Sequence, residues 1–438
     1  MRRETERYSV TGQLAGEGRM PNQTGKHGIR LKGKFKDMYG RLSAGTLILD
    51  DKDLQCGVAL IGESRIGKTN VIQKISSEVY AALQPGEKMV ILDVKGDYTE
   101  CITGADVIRL GPSTNTCWNI FKDILAFGSS RKSIEMRASG VAEYMFKDHK
   151  SEAQPFFAYA AQLLFRCILV YFIRRAMEQG SDAGLNNRAL HEFLMKLNPE
   201  KLRNMIDSYE DFGFARTFLP DRELTTDETL GILSELVVMD GRTFVKNFAE
   251  KGSFSPVDFI RRGSGVLILV CDQSEASVAS PVFRYMMDMM YMALGAQDTK
   301  TGRVTFVQDE FATIPRLEKQ PMALSLLKYR SAFICGFQDY SQLLSVYGRA
   351  DAETIAGMYQ SIIMMRCSGE SVTYVQQRFG TAEVITEYVM PNGTTGQKIE
   401  VRPAIEQHEV NAMRIGDAFV KLPNDPPFYF HFNDYSVS

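Results

Sequence analysis

Nine consecutive residues carry the clearest chemistry: Gly62, Glu63, Ser64, Arg65, Ile66, Gly67, Lys68, Thr69 and Asn70. Two glycines bracket four residues, and Lys and Thr follow. In that spacing the backbone N–H groups of a tight turn surround phosphate at the start of a helix, where the dipole favours anions. Lys68 then reaches the β- and γ-phosphates of a nucleoside triphosphate, and the Thr69 hydroxyl reaches Mg²⁺. A hydrolase of this kind also needs acids at the tip of another buried strand. VTFVQDE at 304–310 offers Asp309, to order Mg²⁺ through water, and Glu310, to polarise the attacking water. The following apolar run, AFICG, leads into Phe337-Gln338-Asp339, so that Gln338 can contact the γ-phosphate and sense its loss. The expected catalytic set is Lys68, Asp309, Glu310 and Gln338. The expected metal ligands are Thr69 and Asp309, and the expected cofactors ATP and Mg²⁺.

These side chains need a scaffold that holds strand tips together. GVALI (57–61) reads as a buried parallel strand before the glycine turn. Val71, Ile75, Val79 and Leu83 recur at helical spacing after it, and Pro85-Gly86 ends that helix. Further strands are expected at 89–93, 106–110, 265–271, 304–307, 332–336 and 361–365. Strands alternating with helices predict an α/β fold with a mostly parallel sheet. Lys68 and Asp309 are 241 residues apart in sequence yet must meet at one nucleotide. A large insertion is therefore expected, and 181–254 fits it, with helix signals and no buried strand. Asn198-Pro199 starts one helix by cap and first-turn proline, and Thr226-Asp227-Glu228 starts another. The division expected is a basic N-terminal arm (1–44), a nucleotide-binding part (45–180), an inserted all-α domain (181–254) and a second nucleotide-binding part (255–438). The methionine run at 286–292 reads as core filler, and Pro391-Asn392-Gly393 as the turn of a hairpin over 384–403.

Composition bounds the rest. The chain has 438 residues, a formal charge of −2, 44% apolar and 24% charged residues. These values exclude a disordered tail protein, a collagen and a disulfide scaffold. Seven scattered cysteines without CxxC spacing and five histidines without an HxxxH pair predict a reducing compartment and no zinc site. MRRETERYSV has no apolar core of a secretory signal. FFAYAAQLLFRCILVYFI (156–173) approaches the roughly 20 residues of a membrane span. Arg166 near its centre would cost at least about 2.5 kcal/mol on insertion, so a buried core helix is expected. Residues 1–41 hold ten Lys/Arg against four acids, a charge of +6, which leaves −8 for the remainder. Such an arm can touch nucleic acid or an anionic membrane surface.

Several stretches in order resemble the TraG/TraD class of type IV coupling proteins, the hexameric ATPases of conjugation and type IV secretion. ILDVKGD (91–97) resembles the family's D-P-K-G-E strand end, with Val94 in place of proline. CWNIF (117–121) resembles its W-N-P segment, and FFAYAAQLL (156–164) the aromatic helix before its all-α domain. QDEFATIPRLEK (308–319) and GFQDYSQLLSVYG (336–348) resemble its acidic and glutamine motifs, and these two are the specific part. Ser64-Arg65-Ile66 departs from the family's small-residue phosphate loop. The family's N-terminal transmembrane hairpin has no counterpart, which implies a soluble form relying on a membrane partner, or one from which the segment was removed.

The resemblance implies a RecA-like P-loop NTPase core with an inserted all-α domain that recognises cargo. It implies a DNA translocase or coupling protein, with single-stranded DNA favoured, that delivers relaxase-bound DNA or protein cargo to type IV secretion channel components. The implied assembly is a homo-hexamer when active and a monomer when isolated, cytoplasmic or peripheral at the inner face of the membrane. A neighbour would supply an arginine in trans, for which Arg330 and Arg366 are the candidates. Two other readings stand beside it. One is a HerA/FtsK-like pump on duplex DNA, and the other a nucleotide-regulated adaptor that recruits protein effectors.

Overall fold

The computed structural model describes residues 3–7 and 21–433, apart from 22, 24, 37–40, 148–154, 219–226, 312–315, 390–393 and 426. The chain opens with β1 (Arg3–Arg7), β2 (Gly28–Lys36), β3 (Leu42–Asp50), α1 (Asp51–Gln55), β4 (Val58–Ile61), α2 (Lys68–Ala81), β5 (Lys88–Asp93) and β6 (Val107–Leu110). A helical stretch follows: α3 (Ile120–Leu125), α4 (Arg131–Phe146), α5 (Pro155–Gln179), α6 (Asn187–Met195), α7 (Pro199–Asp207), α8 (Asp227–Thr243) and α9 (Pro256–Arg262). Alternation then resumes with β7 (Gly265–Val270), α10 (Gln273–Gly295), β8 (Val304–Gln308), α11 (Gln320–Leu326), β9 (Ser331–Phe337), α12 (Tyr340–Met358), β10 (Ser361–Met364) and α13 (Glu370–Phe379). The last elements are β11 (Thr381–Val389), β12 (Thr395–Pro403), α14 (Gln407–Asn411), β13 (Asp417–Lys421) and β14 (Phe428–Phe432).

Eleven strands form one sheet in the order β3-β2-β14-β13-β10-β4-β9-β8-β5-β7-β6, and β1, β11 and β12 form a second. The seven strands from β10 to β6 pair in parallel. They are apolar throughout because both faces are covered. Successive side chains point to opposite faces. Val58, Leu60, Met89 and Ile91 meet Val71, Ile72 and Ile75 of α2 on one side, while Ala59, Ile61, Val90 and Leu92 join the helical layer on the other. The α/β, mostly parallel reading holds. The hairpin expected over 384–403 forms as β11 against β12; its Pro391-Asn392-Gly393 turn and Thr226 lie outside the described residues.

Two boundaries differ from expectation. The basic arm expected over 1–44 does not stay outside the sheet: β2 pairs with β14 and β3. Ile29, Leu31 and Phe35 are buried while Arg30, Lys32, Lys34 and Lys36 between them are exposed. Period-two alternation fixes that strand, and its charge lies on one face only. The helical stretch is also longer than 181–254. No strand occurs among the described residues between Leu110 and Gly265, and α3 to α9 fill the gap. Leu190, Leu202, Ile232 and Leu236 share one apolar core with Leu164 and Ile168 of α5 and Met286 and Met290 of α10. The 181–254 segment is therefore half of a helical layer, and excising it would uncover α5 rather than leave a finished core.

Helix α5 is the one helix among the described residues long and apolar enough to cross a membrane, and 56% of its apolar window is buried inside the fold. Arg166 lies over the Phe214 ring, 5.2 Å from its centre. Of the methionines expected as core filler, Met286, Met287, Met289 and Met290 are buried and Met292 packs half-buried against the core.

The WN segment proves to be a structural staple. Asn119 caps α3 by accepting from the Phe121 and Lys122 amides. Its own amide donates to the carbonyls of Leu185 (2.8 Å) and Gly252 (2.9 Å). One side chain thus ties three distant segments. Beside it, buried Trp118 donates from Nε1 to Asp123 Oδ2 at 2.7 Å, and the Ser255 hydroxyl donates to Oδ1. Burial outweighs these bonds and pushes the Asp123 carboxyl up to about 7. The folded state therefore keeps a proton that the unfolded chain loses near pH 4. The stability this group contributes is complete below about pH 4 and lost as pH rises through about 7. Denaturant midpoints should accordingly fall less steeply between pH 4.5 and 7.5 in Asp123→Asn than in the parent. Equal slopes would show that this carboxyl ionises normally.

Candidate functional site

The phosphate-type loop leaves β4 and turns into α2. Two neighbouring strands pin its start: the Gly62 amide donates to the Phe337 carbonyl (3.1 Å) and the Glu63 amide to the Arg366 carbonyl (2.8 Å). Gly62 is needed there, since a Cβ would sit 3.0 Å from Met365 Cβ and 3.2 Å from the Arg366 carbonyl oxygen. Ile66 anchors the loop from beneath and is fully buried, while Ser64 and Arg65 are exposed. Arg65 takes φ +62° and Gly67 φ +100°, two left-handed residues that curl the loop. No side chain caps the start of α2, which Gly67 precedes. Its first amides therefore face the loop without a side-chain acceptor, as an anion site requires. Lys68 is buried, and its ammonium donates to the loop's own Gly62 and Glu63 carbonyls at 2.6 and 2.8 Å. Burial lowers its pKa, opposed by the nearby Glu310 and Asp309 charges.

The acid pair stands where β8 ends, one strand away across β9. Asp309 is 5% exposed, and its Oδ1 has no hydrogen-bond partner. Burial pushes its carboxyl up to about 6, although the Thr69 hydroxyl donates to it. A buried carboxylate oxygen without a donor, beside a hydroxyl, is a pair that a hard divalent cation satisfies. Thr69 and Asp309 thus fit Mg²⁺. The close approach depends on Gly336 of β9, because a Cβ there would fall 2.2 Å from the Asp309 carbonyl oxygen.

Glu310 is engaged differently. Its Oε1 accepts from Gln338 Nε2 at 2.7 Å and from the Lys95 ammonium. Gln338 stands at the tip of β9, as its place after AFICG predicts. Lys95 received no role in the sequence reading. Its backbone is set by Asp93, whose carboxylate accepts from four successive amides: Lys95 (3.2 Å), Gly96 (2.8 Å), Asp97 (3.1 Å) and Tyr98 (3.1 Å). The signal was the DVKGD run at the C-terminal end of a strand, but not that β5 lies next to β8. A cleft of about 550 Å³ opens beside this turn, lined by Thr69, Asn70, Gln73, Gly96, Asp97 and Glu100 among others. That is ample for a small-molecule ligand.

The two arginine candidates part company. Arg330 precedes β9 at the end away from the strand tips, roughly 20 Å from them at about 3.3 Å per residue. Its guanidinium donates to the carbonyls of Leu294 (2.7 Å) and Thr299 (2.5 Å). It ties down the C-terminal end of α10 within its own chain, which accounts for it without a neighbour's nucleotide. Arg366 does lie at the site, but on its own subunit's loop, with Nε donating to Glu63 Oε2 at 3.1 Å. Arg366 thus stands beside the phosphate-type loop of its own chain.

Comparison with known proteins bears on this arrangement. The family model described as the type IV secretion-system coupling protein DNA-binding domain matches residues 41–429. Coupling protein TraD of Escherichia coli (strain K12) is 20% identical over 404 residues, 87% of this chain and 52% of that protein. The chain thus spans about half the length of the curated relative it matches. Among solved structures, the unbound form of the bacterial conjugative coupling protein TrwBdeltaN70 superposes with a TM-score of 0.68 at 17% identity, covering 88% of this chain and 87% of that one. Plasmid coupling protein TrwB in complex with ADP and Mg²⁺ gives 0.65 at 16%, covering 88% and 87%. VirB4 of Thermoanaerobacter pseudethanolicus gives 0.56 at 12%, covering 94% and 98%. At these identities the likeness shows the fold alone.

Proposed function

The chain belongs to the type IV secretion-system coupling proteins, and on that premise we propose that it is an ATP-driven motor that passes DNA toward a type IV secretion or conjugation channel. The observation that carries the reading is the meeting of Lys68, Thr69, Asp309, Glu310 and Gln338 at the tips of β4, β8 and β9, with the Asp309 Oδ1 left open beside the Thr69 hydroxyl. The loop amides from Glu63 to Asn70 bind the phosphates, and Lys68 turns its ammonium from the loop carbonyls to the β- and γ-phosphates. Thr69 and Asp309 would hold Mg²⁺, which would supply positive charge to the phosphates. Glu310 orients the attacking water and accepts its proton. Gln338 contacts the γ-phosphate and carries its loss into α12, which begins two residues later. The relatives solved with ADP and Mg²⁺ and with the ATP analogue ADPNP support the nucleotide class.

The proposed cargo is DNA, single-stranded for preference, bound to a relaxase or accompanied by protein; the family's description as a DNA-binding domain supports DNA. Subunits work as a homo-hexamer and are monomeric in dilute solution, at the inner face of the membrane through a partner. ATPase assays at several protein concentrations, with single-stranded DNA, duplex DNA or none, alongside sedimentation, test this. Specific activity should rise with concentration and rise again with single-stranded DNA. Preference for duplex would favour a duplex pump, and nucleotide binding without DNA stimulation an effector adaptor. Full activity from a proven monomer, indifferent to DNA, would remove the motor reading.

A further inference from the structure

We propose that Lys95 is the residue by which this site distinguishes ATP from ADP: it exchanges Glu310 for the γ-phosphate when ATP binds, and thereby leaves Glu310 a stronger base toward water. The inference rests on the ATPase reading above and adds a residue that reading does not use.

Four observations converge on it. Glu310 Oε1 already accepts from both Lys95 and Gln338. An ammonium and an amide on one oxygen stabilise the charged carboxylate and make it a weaker base, so losing the Lys95 contact would strengthen Glu310 as a proton acceptor. Lys68 does not hold Glu310 in this way, because its ammonium is spent on the Gly62 and Glu63 carbonyls. Lys95 is also 33% exposed against 12% for Glu310. Lys95 is therefore the more exposed partner, with room to move while Glu310 stays largely enclosed. Finally, the backbone beneath Lys95 is fixed by the four amides on Asp93, while the side chain is a flexible four-carbon stem. The ammonium can swing by several ångströms with no backbone cost.

Charge decides the direction of the swing. Without nucleotide the two acids at the β8 tip are balanced by two lysines, one from each side. The γ-phosphate adds negative charge next to Glu310, and the repulsion is relieved if Lys95 moves to the phosphate. ADP brings no such group, so with ADP the Lys95–Glu310 pair persists. A merely structural ion pair would respond alike to both nucleotides.

The test reads affinity, not turnover. Mg²⁺-ADP and the Mg²⁺ complex of a non-hydrolysable ATP analogue are titrated into the full chain and into three variants. Lys95→Ala should lose the preference for the triphosphate by about 10-fold or more, the size of one charge-assisted hydrogen bond, with ADP affinity within about two-fold of the parent. Lys95→Arg should keep most of the preference. Glu310→Gln should increase it, since a neutral amide oxygen holds Lys95 far less strongly than the carboxylate does. The proposal is overturned if Lys95→Ala weakens both nucleotides equally or neither, or if Glu310→Gln leaves the ratio unchanged. Because no hydrolysis is measured, wild-type turnover in Glu310→Gln would remove the base assignment while the ratio still decides Lys95.

Discussion

Lys68→Ala is expected to lower ATP hydrolysis by at least about 10³-fold while leaving the fold intact. Lys68 is a desolvated cation that makes two bonds to its own loop's carbonyls, and burial lowers its pKa. Among the described residues its only hydrogen-bond acceptors are those two carbonyls. Asp309 and Glu310 lose a nearby cation in the variant, but the desolvation penalty of Lys68 disappears with it, so the net cost to the fold is small. In the transition state the same ammonium would face the charge developing on the transferred phosphoryl group. Losing one preorganised donor at such a position costs about 10²–10³ in rate, and here the donor also carries a full charge. The check is a thermal melt within a few degrees of the parent together with a rate near background. Normal turnover in a folded variant would end the phosphate-loop assignment.

Glu310→Gln should separate binding from chemistry. The amide keeps the shape of the carboxylate, and its oxygen can still accept from Gln338. It cannot take a proton from water. A loss of about 10²–10⁴ in kcat is expected, with ATP binding retained or tightened because a negative charge has left the phosphate's neighbourhood. Single-turnover assays at saturating ATP would show it. A wild-type rate would move the base to another residue.

How much of this was legible beforehand depends on the kind of signal. Short runs such as GVALI and GVLILV are apolar at every position, and that pattern has few alternatives to a parallel strand covered on both faces. The loop spacing from Gly62 to Thr69 and the paired acids at a strand end were readable because chemistry constrains them locally. What escaped was relational. Lys95 and Glu310 are 215 positions apart, and only the adjacency of β5 and β8 brings them together. Arg330 and Arg366 looked equivalent as arginines flanking strands. Strand direction separates them, since one stands at the foot of β9 and the other beyond the tip of β10. The alternation of Ile29, Leu31 and Phe35 with four cations was a strand signal, outweighed by the charge of the whole arm. The helical layer was placed too late because helices before residue 180 were assigned to the nucleotide-binding part.

The interior position of α5 has a consequence for the birth of the molecule. Its apolar stretch leaves the ribosome well before the helices that cover it: α8 ends at Thr243 and α10 at Gly295. At roughly 5–20 residues per second of synthesis, the interval before α10 is complete is on the order of ten seconds. Throughout it, the nascent chain displays a segment that meets the length and hydropathy of a membrane span, and nothing yet translated can shield it completely. Targeting factors and holding chaperones that sample emerging chains would meet α5 as a candidate anchor. Chains arrested near residue 220 should therefore crosslink to such factors through α5, and chains arrested after about residue 340 should not. Equal crosslinking at both lengths would mean that α10 does not complete its cover.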